Sequence, residues 1–225
     1  MKQRPEFSFL IFDLDGTLID SKADIVTSVN LMLNEFDCAT LPDPLIQSLV
    51  GEGIENLIGG ALHASNAPHA VDLSSAIARY RALYDVHCLD STRLYPNVLS
   101  TLDRLRAIPK AILSNKSSKF TGKQLAAFGI DHYFVEVMSG DSFAQMKPSP
   151  EPILYVLEKY SLDAQRVLMI GDYIVDIEAG KAAGVKTCAA LYGFRPKEEV
   201  MEYGADFMIE SIEELIEIVI GKGEQ

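Results

Sequence analysis

The sequence predicts an α/β fold, a parallel sheet flanked by helices, with an all-helical domain inserted close to its N-terminus. Three observations carry that expectation. Short apolar runs rich in branched and aromatic residues recur along the chain and end in Asp, Ser or Gly, as buried strands running into loops do. Helical patterns lie between the later runs, and alternation of the two is the mark of a parallel sheet. Residues 21–92 break the alternation, because amphipathic segments follow one another there with no convincing strand between them.

The first strand is read at FSFLIFD, residues 7–13, where an apolar run stops at acidic, Gly-containing sequence. The insertion then supplies ADIVTSVNLMLNEF, DPLIQSLV, IENLIGGALHA and VDLSSAIARYRALYDVH, separated by Pro- and Gly-bearing breaks at 41–44, 51–53 and 66–70. A lid is the natural role for such a domain. Further strands are expected at AILS (111–114), YFVEVM (133–138), RVLMIG (166–171) and VKTCAA (185–190). KFTGKQLAAFG reads as a helix capped by Gly129, and SIEELIEIVI as a final helix with Ser211 at its N-cap. The resulting boundaries are 1–19 and 93–225 for the sheet domain and 20–92 for the insertion.

Composition narrows the functions. A chain of 225 residues that is 48% hydrophobic and 23% charged can bury a real core and is neither disordered nor fibrous. With 20 Lys+Arg against 32 Asp+Glu the formal charge is −12, which argues against a basic surface for nucleic acid. Cys38, Cys88 and Cys188 are far apart and form no CxxC pair, so they suggest neither a disulfide framework nor a zinc site and suit a reducing cytoplasm. Asp13 and Asp15 interrupt the N-terminal apolar run too early for a signal peptide, and no stretch approaches the roughly 20 apolar residues of a membrane span. The expectation is a cytoplasmic protein without nucleic-acid or membrane partners.

Four short motifs carry candidate chemistry, three of them at or just beyond predicted strands and the fourth before a Pro-rich helix start. In open parallel sheets functional groups gather past the carboxyl ends of the strands, so Asp13, Ser114 and Asp172 could converge from distant parts of the chain. Asp13-Leu14-Asp15-Gly16-Thr17 sets two carboxylates one residue apart, costly unless a cation or proton is shared with them; a hard divalent ion such as Mg²⁺ suits the pair. Gly171-Asp172-Tyr173-Ile174-Val175-Asp176 offers two more carboxylates that could complete an oxygen-rich shell. Ser114-Asn115 brings a hydroxyl and an amide, with N–H groups of a following helix, as donors for a phosphoryl group. Lys147-Pro148-Ser149-Pro150 brings one cation to balance the carboxylates. Taken singly, each has a plainer reading as a turn, a helix cap or a surface lysine.

DLDGTLID at 13–20, Ser114-Asn115, KPSPEP at 147–152 and GDYIVDIEAGKAAG at 171–184, in this order, resemble the four signature motifs of the haloacid dehalogenase-like hydrolases. Within that superfamily the chain is similar to the phosphoglycolate phosphatase group, through GEGIENLIGGAL, TRLYPNVLSTLDRLR and SGDSFAQMKPSP. The resemblance implies a Rossmann-like core with an inserted helical cap. It implies a Mg²⁺-dependent phosphatase acting on a small phosphorylated metabolite, with phosphoglycolate the leading substrate, as a monomer or homodimer. By the same carry-over Asp13 is the nucleophile, Asp15 the general acid and base, and Asp13, Asp15 and Asp172 the metal ligands, Asp15 through its backbone carbonyl. Ser114, Asn115, Gly16 and Lys147 would hold the phosphoryl oxygens, and Asp176 would act behind them on a bound water or on Lys147.

Two positions depart from the group. Tyr173 stands where a small hydroxyl residue is common, and Gly180 where a second Ala is usual. The cap also carries three Lys/Arg (Lys22, Arg79, Arg81) against nine Asp/Glu between 21 and 90, few cations for a substrate's second carboxylate. Helix N–H groups near Gly51-Glu52-Gly53 are an alternative. His63, His69 and His87 form no metal motif. Pyrophosphatase and sugar-phosphate mutase share the scaffold, although the mutases' hinge histidine aligns with Ile25. A dehalogenase would lack Asp15, and for a phosphonate hydrolase Lys22 is a weak Schiff-base candidate. A catalytically idle binding protein is the competing reading from another class.

Overall fold

The computed structural model describes residues 6–67 and 71–221. The chain opens with strand β1 (Phe9–Phe12) and short strand β2 (Ile19–Asp20), followed by helices α1 (Lys22–Glu35), α2 (Asp43–Ser48), α3 (Ile54–Ala64) and α4 (Leu73–His87). A second short strand, β3 (Arg93–Leu94), leads to α5 (Val98–Arg104), β4 (Lys110–Leu113), α6 (Ser118–Ala127), β5 (Glu136–Met138) and α7 (Glu151–Lys159). The chain closes with β6 (Val167–Gly171), α8 (Ile174–Ala182), β7 (Lys186–Ala190), α9 (Lys197–Met201), β8 (Phe207–Ile209) and α10 (Leu215–Ile220). It divides into two compact units, one formed by residues up to Ile19 and from Leu94 onward, the other by Asp20–Arg93.

The first unit is built on a six-stranded sheet in the order β5-β4-β1-β6-β7-β8, with every pairing parallel. Parallel sheets are covered on both faces, and β1 shows why FLIF carries no polar alternation. Leu10 and Phe12 pack on one side with Val98, Leu102, Leu125 and Leu215, while Phe9 and Ile11 pack on the other with Ile153, Val156 and Ala179. The expected strands are all present, with ends moved by up to three residues. YFVEVM is the largest revision: residues 131–133 form a 3-10 turn and only Glu136–Met138 pair. Ser211 precedes a 3-10 turn (Ile212–Glu214), not the α-helix itself, and its side chain makes no cap hydrogen bond. Gly129 does end α6 with φ +63°, a conformation that costs glycine little.

The departure at Gly180 has a packing reason. A Cβ there would lie 2.6 Å from Thr187 Cγ2, and Thr187 is itself held by bonds of its amide and hydroxyl to Asp206. Helix α8 therefore lies closer to β7 than an alanine permits.

The second unit is the four-helix insertion. Val29, Met32, Ile46, Ile58, Ala61, Ala76, Tyr80 and Tyr84 are buried, and Tyr80 stacks on Tyr84 with ring centroids 5.5 Å apart. Asn30 ties the α1–α2 connection by accepting from Leu41 N and donating to Leu41 O. The third expected break, 66–70, runs past the described residues, as does His69. β2 and β3 pair as a separate two-stranded sheet where the chain passes between the units. Among the described residues no helix is long and apolar enough to cross a membrane.

Candidate active site

β1 and β6 are neighbours in the sheet, Phe12 beside Ile170, so the residues that follow them emerge together. Asp13 leaves β1 and Asp172 leaves β6, and both are buried. Asp176 lies on the first turn of α8, where its Oδ2 accepts from Tyr173 N at 3.0 Å. That bond turns the carboxyl back toward the strand end. Oxygens of Asp13, Asp172 and Asp176 all lie within 4.8 Å of one another.

Lys147 enters from the loop before α7, behind a cis peptide to Pro148. Its Nζ is 2.7 Å from Asp13 Oδ1 and 2.6 Å from Asp176 Oδ1, with the lysine side chain 2% exposed. Asn115 braces this loop, since its Nδ2 donates to Lys147 O at 2.8 Å. Ser114 is buried at the end of β4, and its Oγ accepts from Lys116 N at 3.3 Å. The helix behind them begins later than the sequence suggests: α6 starts at Ser118, so Ser114 and Asn115 sit on a loop and not at its N-terminus.

Gly16 is fixed by geometry. Its φ is +85°, and a Cβ there would fall 2.2 Å from Asp172 Oδ2. Asp172 in turn accepts from Phe194 N at 2.7 Å and from Thr17 Oγ1 at 3.4 Å. Tyr173, the larger residue at a position usually small, turns its ring to the Arg195 guanidinium, 4.0 Å from the ring centroid. Its backbone N–H still reaches Asp176, so the substitution leaves that bond intact.

The electrostatics follow from three buried carboxylates facing one buried ammonium. Burial pushes Asp13 up to about 7; Lys147 opposes this, and Asp176 and Asp15 add to it. Asp172 is raised well above its ordinary value by burial, then by Asp13 and Asp176. Burial alone would lower Lys147, but Asp13 and Asp176 outweigh it and raise its pKa. Hard oxygen donors carrying more negative charge than one lysine balances are the donor set a small divalent cation prefers.

Asp15 is not part of that cluster of carboxylate oxygens. Its side chain meets Lys116, whose Nζ is 2.6 Å from Asp15 Oδ1. Sequence reasoning missed Lys116. The available signal was its position directly after Ser114-Asn115, at a strand end already marked as functional. In the inserted unit, Arg79 is paired with Glu35, and Lys22 lies 3.9 Å from Asp20. His87 Nδ1 is 2.7 Å from Asp90, an exposed contact of no metal-binding pattern.

A family model described as haloacid dehalogenase-like hydrolase matches residues 10–190. The chain is 33% identical to a phosphoglycolate phosphatase of Haemophilus influenzae (strain Rd) over 95% of this chain and 99% of that one. It is 35% identical to the phosphoglycolate phosphatase of Nitrosospira multiformis, over 93% of this chain and 94% of that one. Its fold superposes with a TM-score of 0.89 on the crystal structure of a predicted phosphoglycolate phosphatase from Haemophilus somnus 129PT, at 29% identity, covering 95% of this chain and 98% of the other.

Proposed function

The chain belongs to the haloacid dehalogenase-like hydrolase family and is a phosphatase of it, and from that premise we propose a Mg²⁺-dependent phosphomonoester hydrolase that works through an aspartyl-phosphate on Asp13. The observation that carries this reading is the Lys147 ammonium held between Asp13 and Asp176, with Asp172 beside them. In this reading Asp13 is the nucleophile, Lys147 the phosphate-binding cation and Asp172 a metal ligand, neighbours in one cluster.

In the first half-reaction an Asp13 carboxylate oxygen attacks phosphorus and the bond to the leaving oxygen breaks. Asp15 gives that oxygen its proton, so an alcohol departs instead of an alkoxide. In the second half Asp15 takes a proton from water as the water oxygen attacks the phosphoryl phosphorus, which releases phosphate and restores Asp13. Lys147 and Ser114 hold the phosphoryl oxygens, Gly16 lets the backbone come close, and Asn115 keeps Lys147 in place. Asp13 and Asp172, with the backbone carbonyl of Asp15, would hold Mg²⁺. When bound, the ion supplies positive charge that eases the meeting of an anionic nucleophile with an anionic substrate.

The helical unit, residues 20–92, is assigned as the cap that chooses the leaving group. The names of the relatives support 2-phosphoglycolate as substrate. Against this, the cap has few cations and Arg79 is engaged with Glu35. The test is phosphate release with and without Mg²⁺ over 2-phosphoglycolate, pyrophosphate and sugar phosphates, with Asp13→Asn in parallel. A single preferred substrate, metal dependence and an inactive variant are expected. Equal inactivity of wild type and variant across the panel would leave a binding protein as the better reading.

A further inference from the structure

Lys116 is tied down at both ends. Its carbonyl accepts from Gly140 N at 2.7 Å and from Thr121 Oγ1 at 3.4 Å, and its amide donates to Ser114 Oγ. Its ammonium is 2.6 Å from Asp15 Oδ1 and 2.7 Å from Gln124 Oε1. The Lys116 and Asp15 side chains are 10% and 12% exposed, and Gln124 is fully buried on α6. The amide oxygen of Gln124 brings direction without a countercharge. It steers the ammonium toward Asp15 where a second carboxylate would have competed for it. With Lys147 on Asp13 and Lys116 on Asp15, each aspartate of the Asp13–Asp15 pair has its own cation.

We propose that Lys116, backed by Gln124, is a positioning residue that fixes the orientation from which the Asp15 carboxyl exchanges a proton with the leaving oxygen. The inference rests on the role given to Asp15 above. A carboxyl that must hand a proton to one oxygen and then take one from water works only within a narrow range of angles. A misplacement of about 1 Å costs on the order of 100-fold in rate.

The experiment compares wild type, Lys116→Met and Lys116→Arg on 2-phosphoglycolate, which must release an alkoxide, and on p-nitrophenyl phosphate, whose phenolate leaves without a proton. Expected for Lys116→Met is a kcat/KM loss of roughly 100-fold on the alkyl ester and less than about 5-fold on the aryl ester, because kcat/KM reports the transfer to Asp13, whereas hydrolysis of the aspartyl-phosphate is common to both. Lys116→Arg should regain roughly a tenth or more of the lost alkyl rate. Turnover of the aryl ester shows at once that a variant is folded. Parallel losses on both esters, or no loss on either, overturn the assignment of Lys116. A wild type that turns over neither ester overturns the phosphatase mechanism itself, and the inference with it.

Discussion

Asp24 in the helical unit and Asp13 in the sheet unit are both buried, and the two are treated in opposite ways. In the helical unit Asp24 accepts from Ser91 N at 2.9 Å, Thr92 N at 2.8 Å and Thr92 Oγ1 at 2.6 Å, which fastens the start of α1 to the segment leaving α4. In the sheet unit Asp13 faces Asp172 and Asp176 and has the Lys147 ammonium as a side-chain partner. Asp24 is ringed by donors and so contributes stability. Asp13 is crowded by its own kind, and burial favours its neutral form. A buried charge is thus structural or functional according to the company it keeps, and its depth alone does not tell which.

The largest test of this contrast is Asp13→Asn. Phosphate release should fall by at least ~10⁴-fold, as expected for loss of a nucleophile, while the melting temperature stays within about 3 °C of wild type. Asp24→Ala should behave conversely. It leaves buried donors unsatisfied and should cost about 3 kcal/mol in urea unfolding, with turnover per folded molecule little changed. Next comes the metal: Mg²⁺ at about 100 times its Kd should stabilise wild type by about 2.7 kcal/mol in thermal unfolding and Asp172→Asn far less. EDTA should reverse the gain.

The smallest effect sharpens the comparison within the sheet unit. Lys110 is buried on β4 with its ammonium donating to the carbonyls of Leu105 and Ile108, and burial lowers its pKa to about 8. Below about pH 8 it is charged in both folded and unfolded states, and the penalty for burying it stands in full. Between about 8 and the ordinary 10.5 the folded protein sheds this proton first, so the unfolded state binds more protons and stability rises with pH. Unfolding free energies at pH 7.5 and 10 should show wild type gaining on Lys110→Met; a constant gap would remove Lys110 from the list of buried structural charges.

How far the sequence revealed this depended on local signal. VLMIG, and AIL after Lys110, are apolar because their strands are covered on both faces, so they announce themselves. β2, β3 and β8 have two or three residues each, and exposed Arg93 in β3 hides any apolar run. The helical insertion was legible because its segments keep helical spacing between Pro- and Gly-bearing breaks. Strand-end logic pointed to Asp13, Ser114 and Asp172; Asp13 and Asp172 lie in one cluster with Asp176 and Lys147, two residues that do not themselves end a strand. Lys116 stayed hidden because its partner Asp15 is distant in sequence and a lone lysine usually faces water. Asn115 was read as a phosphate donor, whereas its visible bond goes to the backbone of Lys147, a contact that no local pattern encodes.

The place of β1 in the sheet has a consequence for how the chain is made. Leu10 lies beside both Lys110 and Leu168, so β1 is flanked by strands that arrive much later in synthesis. The insertion, by contrast, is a compact unit of contiguous residues, Asp20–Arg93, and can collapse once that stretch has left the ribosome. Until residue 172 has emerged, Asp13 has no Asp172 to meet. Between the end of the helical unit and Asp172 the insertion is therefore complete while the aspartate cluster is not, and apolar β1 still lacks β4 and β6 beside it for part of that interval.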